Sequence, residues 1–442
     1  MPSSLLIRSG LVLTMNDRLD LIEGDVSIQN GRIAAIATNI TGKHDRVIDA
    51  RGGYVLPGFV QTHIHLCQTL FRGFADDLPL MDWLRRRVWP MEAAHTPDTL
   101  RAAVRLATTE LLAGGTTTVL TMETVHDTDV VFETVAESGL RATIGKCMMD
   151  AAAEVPKRLQ EQTDASIDES VAIRARWDGA VQGRLRAAFA PRFAVSCSRA
   201  LLEAVGDLSR RHKAIVHTHA SESRDEIALV RHLSGGLSNI EYLARVRLVS
   251  PQLCAAHCVW VDEGEQRLLA EQDVKVMHCP GSNLKLGSGI APVTEMRALG
   301  ITVSLGADGA ACNNRLDMFE EMRLAAVLQA VRREPGVLRA RDVLSMATRA
   351  GARTLGLEAD IGSLEVGKHA DLIVVDRDRP HLVPGPDPYS TLVYAARASD
   401  VRTTIVEGEV LVDEFTPVRV DRAQISAKAR TAAQELVSRA GV

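Results

Sequence analysis

The stretch Pro57-Gly58-Phe59-Val60-Gln61-Thr62-His63-Ile64-His65-Leu66 closes an apolar run that begins at Tyr54. In an extended strand, residues i and i+2 point to the same face, so His63 and His65 aim both imidazoles at one place. Neutral imidazole is a common metal ligand, and two on one rigid strand lose little entropy on binding. An HxH pair alone is a weak signal, and two polar residues on the wet face of an edge strand would be the favoured reading. Later segments decide between these readings, because each puts another suitable residue at the end of a strand.

Outward from this stretch, residues 58–365 alternate between strand and helix patterns. Thr96 and Pro97 open a helix that Gly114 closes. TTTVLTM (116–122), LRATIGKCMM (140–149), LRAAFAP (185–191), AIVHTHA (214–220), a strand ending in AAHC, VKVMHC (274–279) and ITVSLGADG (301–309) read as strands with helices between them. With the HxH strand they make eight. Such alternation predicts a parallel sheet, and eight units predict closure as a TIM-like (β/α)₈ barrel. Short strands with turn signals at Asn30-Gly31 and Glu407-Gly408 flank the barrel on both sides. The expected organisation is a composite β-sandwich domain from residues 1–57 plus 366–420, a barrel over 58–365 and a terminal helix over 421–442.

Composition sets the outer bounds. The 442 residues are 46% hydrophobic and 24% charged with net charge −5, which is ordinary for a globular protein and supplies no basic stripe for nucleic acid or anionic membrane. No apolar run approaches membrane-spanning length, and MPSSLLIRSGLVL lacks the basic start and cleavage site of a signal peptide. Seven scattered cysteines argue against a disulfide framework, so a reducing cytoplasm is expected.

Barrel active sites lie at the C-terminal ends of the strands. There the sequence places His63 and His65, then His217 and His219 with Glu222 three residues on, then His257, His278 and Asp308. Any one of these fits a packed histidine or a helix cap. Five successive strand ends bearing such residues point to one metal centre. Three imidazoles and a carboxylate leave room for water on zinc, and bound zinc lowers the pKa of water to about 7.

The segments PGFVQTHIHLCQT, HTHASES, AAHC, HCPGSNLKLGSGIAPV and SLGADGAACNN resemble the amidohydrolase superfamily, specifically its deaminase branch. The resemblance runs through IGSLEVGKHADLIVVD and covers essentially the whole chain. It implies one divalent ion, zinc first and iron as the alternative, held by His63, His65, His219 and Asp308. His219-Ala220-Ser221-Glu222 matches the family's HxxE motif, which picks His219 over His217 and makes Glu222 the proton shuttle. His257 matches the residue that orients the nucleophile or substrate, and Asp308 also accepts the proton of water. LRAAFAP has no lysine to bridge a second ion, so a single metal is expected.

Substrate signals point two ways. LFRGFADDLPLMDWLRRRVWPMEAAH resembles deaminases of adenosine, S-adenosylhomocysteine and methylthioadenosine, in which the Glu of WPxE, here Glu92, binds the ribose hydroxyls. Pro191-Arg192-Phe193 with Gln68 instead resembles guanine deaminases, where Arg and Gln hold an oxo-purine. The expected partner is a small purine-like substrate of the nucleoside type, acted on by a homo-oligomer. A guanine, 8-oxoguanine, pterin or triazine aminohydrolase is the alternative. Arg141, Lys146 and Arg158 are candidates by region only for a substrate carboxylate and are expected to be solvated charges. A non-catalytic scaffold of the same fold would have lost ligands that this chain keeps.

Overall fold

The computed structural model describes residues 4–151 and 154–442. Its strands fall into two sheets. The chain begins with β1 (Ser4–Leu13), β2 (Leu21–Gln29), β3 (Arg32–Ala37), β4 (Arg46–Asp49) and β5 (Tyr54–Pro57). Asn30 and Gly31 turn β2 into β3 with φ of 50° and 78°, the positive pair that a tight hairpin needs. Then come eight parallel strands in sequence order: β6 (Phe59–Ile64), β7 (Thr116–Met122), β8 (Arg141–Met148), β9 (Leu185–Pro191), β10 (Val216–Ala220), β11 (Leu253–His257), β12 (Lys275–His278) and β13 (Val303–Leu305). Finally β14 (Leu372–Val375), β15 (Val401–Val406), β16 (Glu409–Asp413) and β17 (Thr416–Pro417) return to the first sheet.

That first sheet is mixed, in the order β17-β16-β15-β14-β5-β1-β2-β3, with β4 also on β1. It branches at β1, which pairs with β4 through Leu5–Arg8 and with β5 through Leu11 and Val12. The strands from both chain ends of the expected composite β domain thus join in one branched, mixed sheet. Leu5, Ile7, Val26 and Ile28 from one end of the chain share a core with Leu372, Val374 and Ile405 from the other.

The apolar run from Tyr54 to Val60 reads as one strand, but the structure breaks it at Gly58. β5 pairs antiparallel with β14, and β6 pairs parallel with β7. A Cβ at Gly58 would sit 2.1 Å from a Thr117 methyl, so only glycine lets the chain pass between sheets here.

Barrel closure brings the two ends of the eight-strand sheet together. Thr62 Oγ1 lies 2.8 Å from Ser304 Oγ and 3.0 Å from the Leu305 carbonyl. Ala307 N–H donates to Gln61 Oε1 at 3.2 Å, and Asp308 N–H donates to the His63 carbonyl at 3.0 Å. A Cβ at Gly306 would fall 2.5 Å from the His63 carbonyl oxygen and 2.7 Å from its nitrogen. The seam therefore depends on a glycine between β13 and Asp308.

The helix Pro97–Ala113 is capped by Thr96 as the sequence predicts, and it buries Leu100, Val104, Ala107 and Leu111 along one face. Residues Leu80–Ala94 are helical throughout. They run as helix Leu80–Trp83, a π-helical turn Leu84–Val88 and helix Trp89–Ala94, which carries Glu92. The terminal helix Arg422–Ala440 packs Ala429, Ala432 and Leu436 into the same core as Val88 and Trp89, and Arg439 donates to the Ala94 carbonyl at 3.0 Å. Among the described residues, no helix is long and apolar enough to cross a membrane. All seven cysteines are buried and unpaired.

Gly306→Ala tests the seam. Overpacking against backbone costs about 1–3 kcal/mol, so the variant's Tm should fall clearly below that of the parent chain in thermal unfolding followed by circular dichroism. An unchanged Tm would mean that the seam relaxes freely.

Candidate metal centre and substrate cavity

The C-terminal ends of β6, β10 and β13 bring His63, His65, His219 and Asp308 together, with one ligand atom of each lying within 4.8 Å of the others. Asp308 Oδ1 is 3.3 Å from His63 Nε2 and 3.2 Å from His65 Nε2. The Nε2 atoms of His65 and His219 are 3.3 Å apart. The second ring nitrogens are also engaged. His65 Nδ1 donates to the Met122 carbonyl at 2.7 Å, and His219 Nδ1 donates to the Arg192 carbonyl at 2.7 Å. That fixes each Nε2 as the lone-pair nitrogen. His63 Nε2 is buried without a hydrogen-bond partner, and its Nδ1 lies 2.6 Å from His217 Nε2.

Bare lone pairs converging on one buried point are unfavourable unless a cation lies between them. The donor set therefore fits a divalent metal ion. Burial lowers the pKa of His63 to about 4 and holds that of His219 well below the usual range. Burial works against the charge on Asp308, but His63 and His65 outweigh it and keep the carboxyl ionised. Asp308 has φ of 63°, a left-handed conformation rare outside glycine. Its Oδ1 accepts from Gly309 N–H at 2.7 Å, and its Oδ2 accepts from Ser282 Oγ at 2.7 Å.

Two further groups stand beside the four. Burial raises the pKa of Glu222 to about 7, and its Oε1 accepts from Ser288 Oγ at 3.2 Å. His257 donates Nδ1–H to Asn283 at 2.9 Å, which turns Nε2 toward Glu222 at 3.6 Å and Asp308 at 3.9 Å. The pKa of His257 is raised, because the two carboxylates outweigh its burial. His278 is not brought into the cluster; it is buried with neither ring nitrogen partnered. Ser282, Asn283 and Ser288 were not singled out in the sequence, although all three lie in the matching segment HCPGSNLKLGS. Ser282 and Asn283 lie on the helix Pro280–Lys285 that starts directly after the strand, and Ser288 follows it, its N–H donating to the Asn283 carbonyl at 2.8 Å.

A cavity of about 20 Å³ opens above these groups, walled on its apolar side by Leu80, Trp83, Leu84, Phe193 and Leu286. Gln68 and Arg192 line it as well. Arg192, read in the sequence as a rival to Glu92, is its ion-pair partner: Nη1 lies 2.6 Å from Glu92 Oε2 and Nη2 3.2 Å from Oε1. Gln68 Nε2 donates to Glu92 Oε1 at 3.0 Å, while Gln68 Oε1 is buried and unpartnered. The three side chains form one buried unit.

Arg141 and Lys146 are not the solvated charges expected. Arg141 is buried against Asp371 at 2.8 Å, where it ties β8 to the composite sheet, and Lys146 is buried against Glu161. Arg158 is half exposed and 3.9 Å from Asp127. None of the three lines the cavity.

A barrel with three imidazoles and an aspartate at its C-terminal mouth, and a protonatable glutamate beside them, is the framework of a metal-dependent hydrolase. The amidohydrolase family's sequence model matches residues 54–411, and the chain belongs to that family. It is 41% identical over 440 residues to a 5'-deoxyadenosine deaminase of Methanosarcina acetivorans, covering 99% of each chain. It is 38% identical over 443 residues to a 5-methylthioadenosine/S-adenosylhomocysteine deaminase of Pelotomaculum thermopropionicum, covering 99% of this chain and 100% of the other. The crystal structure of an adenosine deaminase from Xanthomonas campestris with bound zinc superposes with a TM-score of 0.92 at 33% identity over 98% of each chain.

Elemental analysis of the purified protein should find about one divalent ion per chain, as a single four-ligand site requires. Asp308→Asn should keep the far-ultraviolet dichroism of the parent while holding less metal. Two tightly held ions per chain would rule out the single-metal reading.

Proposed function

We propose that the chain is a single-metal hydrolytic deaminase of purine nucleosides of the adenosine type, such as adenosine, 5'-deoxyadenosine, methylthioadenosine or S-adenosylhomocysteine. The observation that carries the reading is the convergence of His63, His65, His219 and Asp308 beside Glu222 and His257. The names of the relatives and the zinc in the neighbouring crystal structure support the substrate class and the choice of zinc. Seven buried, unpaired cysteines accord with a reducing cytoplasm.

An ion held by the four ligands supplies Lewis-acid activation of water near neutral pH. The remaining work is proton handling. Replacing an amidine's amino group needs a proton on the ring nitrogen as oxygen adds, and another on the amine as it leaves. Glu222, held protonatable near neutrality by burial, supplies the first. Asp308, ionised and clamped by Ser282, takes the proton of water for transfer to the departing ammonia. His257, oriented by Asn283, steadies the attacking oxygen through Nε2.

The Gln68–Glu92–Arg192 unit favours a nucleoside over a free base. Arg192 holds Glu92 in place, and spends two N–H groups on it that an oxo-purine would otherwise need. Gln68 lines the cavity and its Oε1 is unpartnered, so it can accept from a substrate O–H, while Glu92 lies outside the lining and holds Gln68 and Arg192 in place.

Glu222→Gln keeps shape but carries no transferable proton, so kcat should fall by at least ~10²-fold in an ammonia-release assay. Normal turnover would remove Glu222 from the role. For the cavity unit, Glu92→Ala and Arg192→Ala should each depress nucleoside turnover far more than free-base turnover. The two effects should not add in the double variant, because one interaction is being removed. Each single change should also destabilise by about 3–5 kcal/mol, since it strands a buried charge. Equal losses on base and nucleoside would favour a guanine-like or pterin-like substrate instead.

A further inference from the structure

The histidine two residues before His219 has no part in the reaction above, yet it makes the shortest contact to any of the four ligands. His217 Nε2 is 2.6 Å from His63 Nδ1, with the two rings crossed at 83° and both fully buried. His65 and His219 bond their second nitrogens to backbone carbonyls, which only accept, so their tautomers are fixed without choice. His63 alone among the ligands is partnered by another imidazole, which either donates or accepts. Its tautomer is therefore decided by His217.

We propose that His217 is the positioning residue that sets His63 for metal binding, by accepting the Nδ1–H of His63 at its own Nε2. The inference rests on the ligand set proposed above. Two neutral imidazoles share one hydrogen across this contact, so exactly two arrangements exist. In one, His217 Nε2 donates; the proton of His63 then sits on its Nε2, which lies 3.3 Å from Asp308 Oδ1, in the direction a metal ion must occupy. That arrangement blocks ligation. In the other, His63 Nδ1–H donates, its Nε2 lone pair faces Asp308, and His217 carries its own proton on Nδ1. His217 Nδ1 has no hydrogen-bond partner in the structure. The backbone of Thr121 is the other hydrogen-bonding neighbour of the ring, and Nε2 faces the ligand His63. β10 supplies both functions from one face: His219 reaches the centre, and His217, two residues earlier, supports it from the layer beneath.

The test measures zinc affinity of the full chain by competition with a chromophoric chelator, for the parent, His217→Leu, His217→Gln and His63→Ala. Leucine cannot accept a hydrogen bond, and zinc affinity should drop by about 10–100-fold, the usual cost of losing a ligand's outer partner. Glutamine can set its Oε1 near the place of Nε2 and accept, so it should restore most of that loss. Parent-like affinity of folded His217→Leu, or a His217→Gln protein as weak as the leucine variant, would overturn the proposal. Nitrogen-15 histidine NMR of the zinc-loaded parent gives a readout that does not depend on any variant folding. It should show His217 protonated on Nδ1 and bare on Nε2; a proton on His217 Nε2 would overturn the proposal equally. Failure of the ligand set itself looks different, because His63→Ala would then bind zinc as the parent does.

Discussion

The approach of β13 to β6 is the constraint on which the rest of the molecule depends. Residues about 245 apart in sequence meet there, and Asp308 is hung from the His63 carbonyl by its own N–H. The carboxylate and the first histidine thus belong to one hydrogen-bonded seam. Gly306 allows the two backbones to touch, and the left-handed φ of Asp308 turns its side chain back over the strand ends. A strained, buried aspartate persists only where its surroundings over-determine it. Here Gly309, Ser282 and the two histidines do so.

The strand arrangement carries that order outward. The Arg192 carbonyl holds the His219 ring, while the Arg192 side chain clamps Glu92 on a helix that belongs to a different barrel unit. One residue just after β9 therefore links the metal centre to the helical wall that carries Glu92. The terminal helix braces the same wall from behind through Ala429, Ala432 and Leu436. The composite sheet acts at the opposite end of the barrel, where Asp371 receives Arg141 and where Gly58 passes the chain from one sheet to the other. Metal site, cavity wall and flanking sheet are mechanically one object, although the sequence presents them as separate motifs.

Period and position made most of this legible. Two-residue spacing put His63 and His65 on one face, and strand–helix alternation gave eight strands and their C-terminal ends. The Thr96-Pro97 cap and the Asn30-Gly31 turn follow local rules that tertiary contacts did not override. What stayed hidden depends on side chains meeting across long separations. Arg192 and Glu92 are 100 residues apart, and each by itself resembles a substrate contact; no periodicity says that they bind each other. Arg141 and Lys146 read as surface charges because their carboxylate partners lie far along the chain or beyond the next loop. The break at Gly58 was masked by an unbroken apolar run, since a strand ending one sheet and a strand starting another have the same composition.

The cavity's size adds the final step. The cavity is small, about 20 Å³, and its walls are of two kinds. The walls nearest the metal centre are strand ends fixed by the seam and cannot retreat without losing the ligands. The Leu80–Val88 wall is different in kind. It joins barrel strands rather than forming one, it includes a π-helical turn, and it meets the cavity through Leu80, Trp83 and Leu84. Glu92 sits just beyond that turn, pinned by Arg192 and Gln68. The apolar wall thus ends at the fixed Glu92–Arg192 pair. The groups of the candidate metal centre are tied by directional bonds across the strand ends, whereas the apolar cover of Leu80, Trp83 and Leu84 makes none to them.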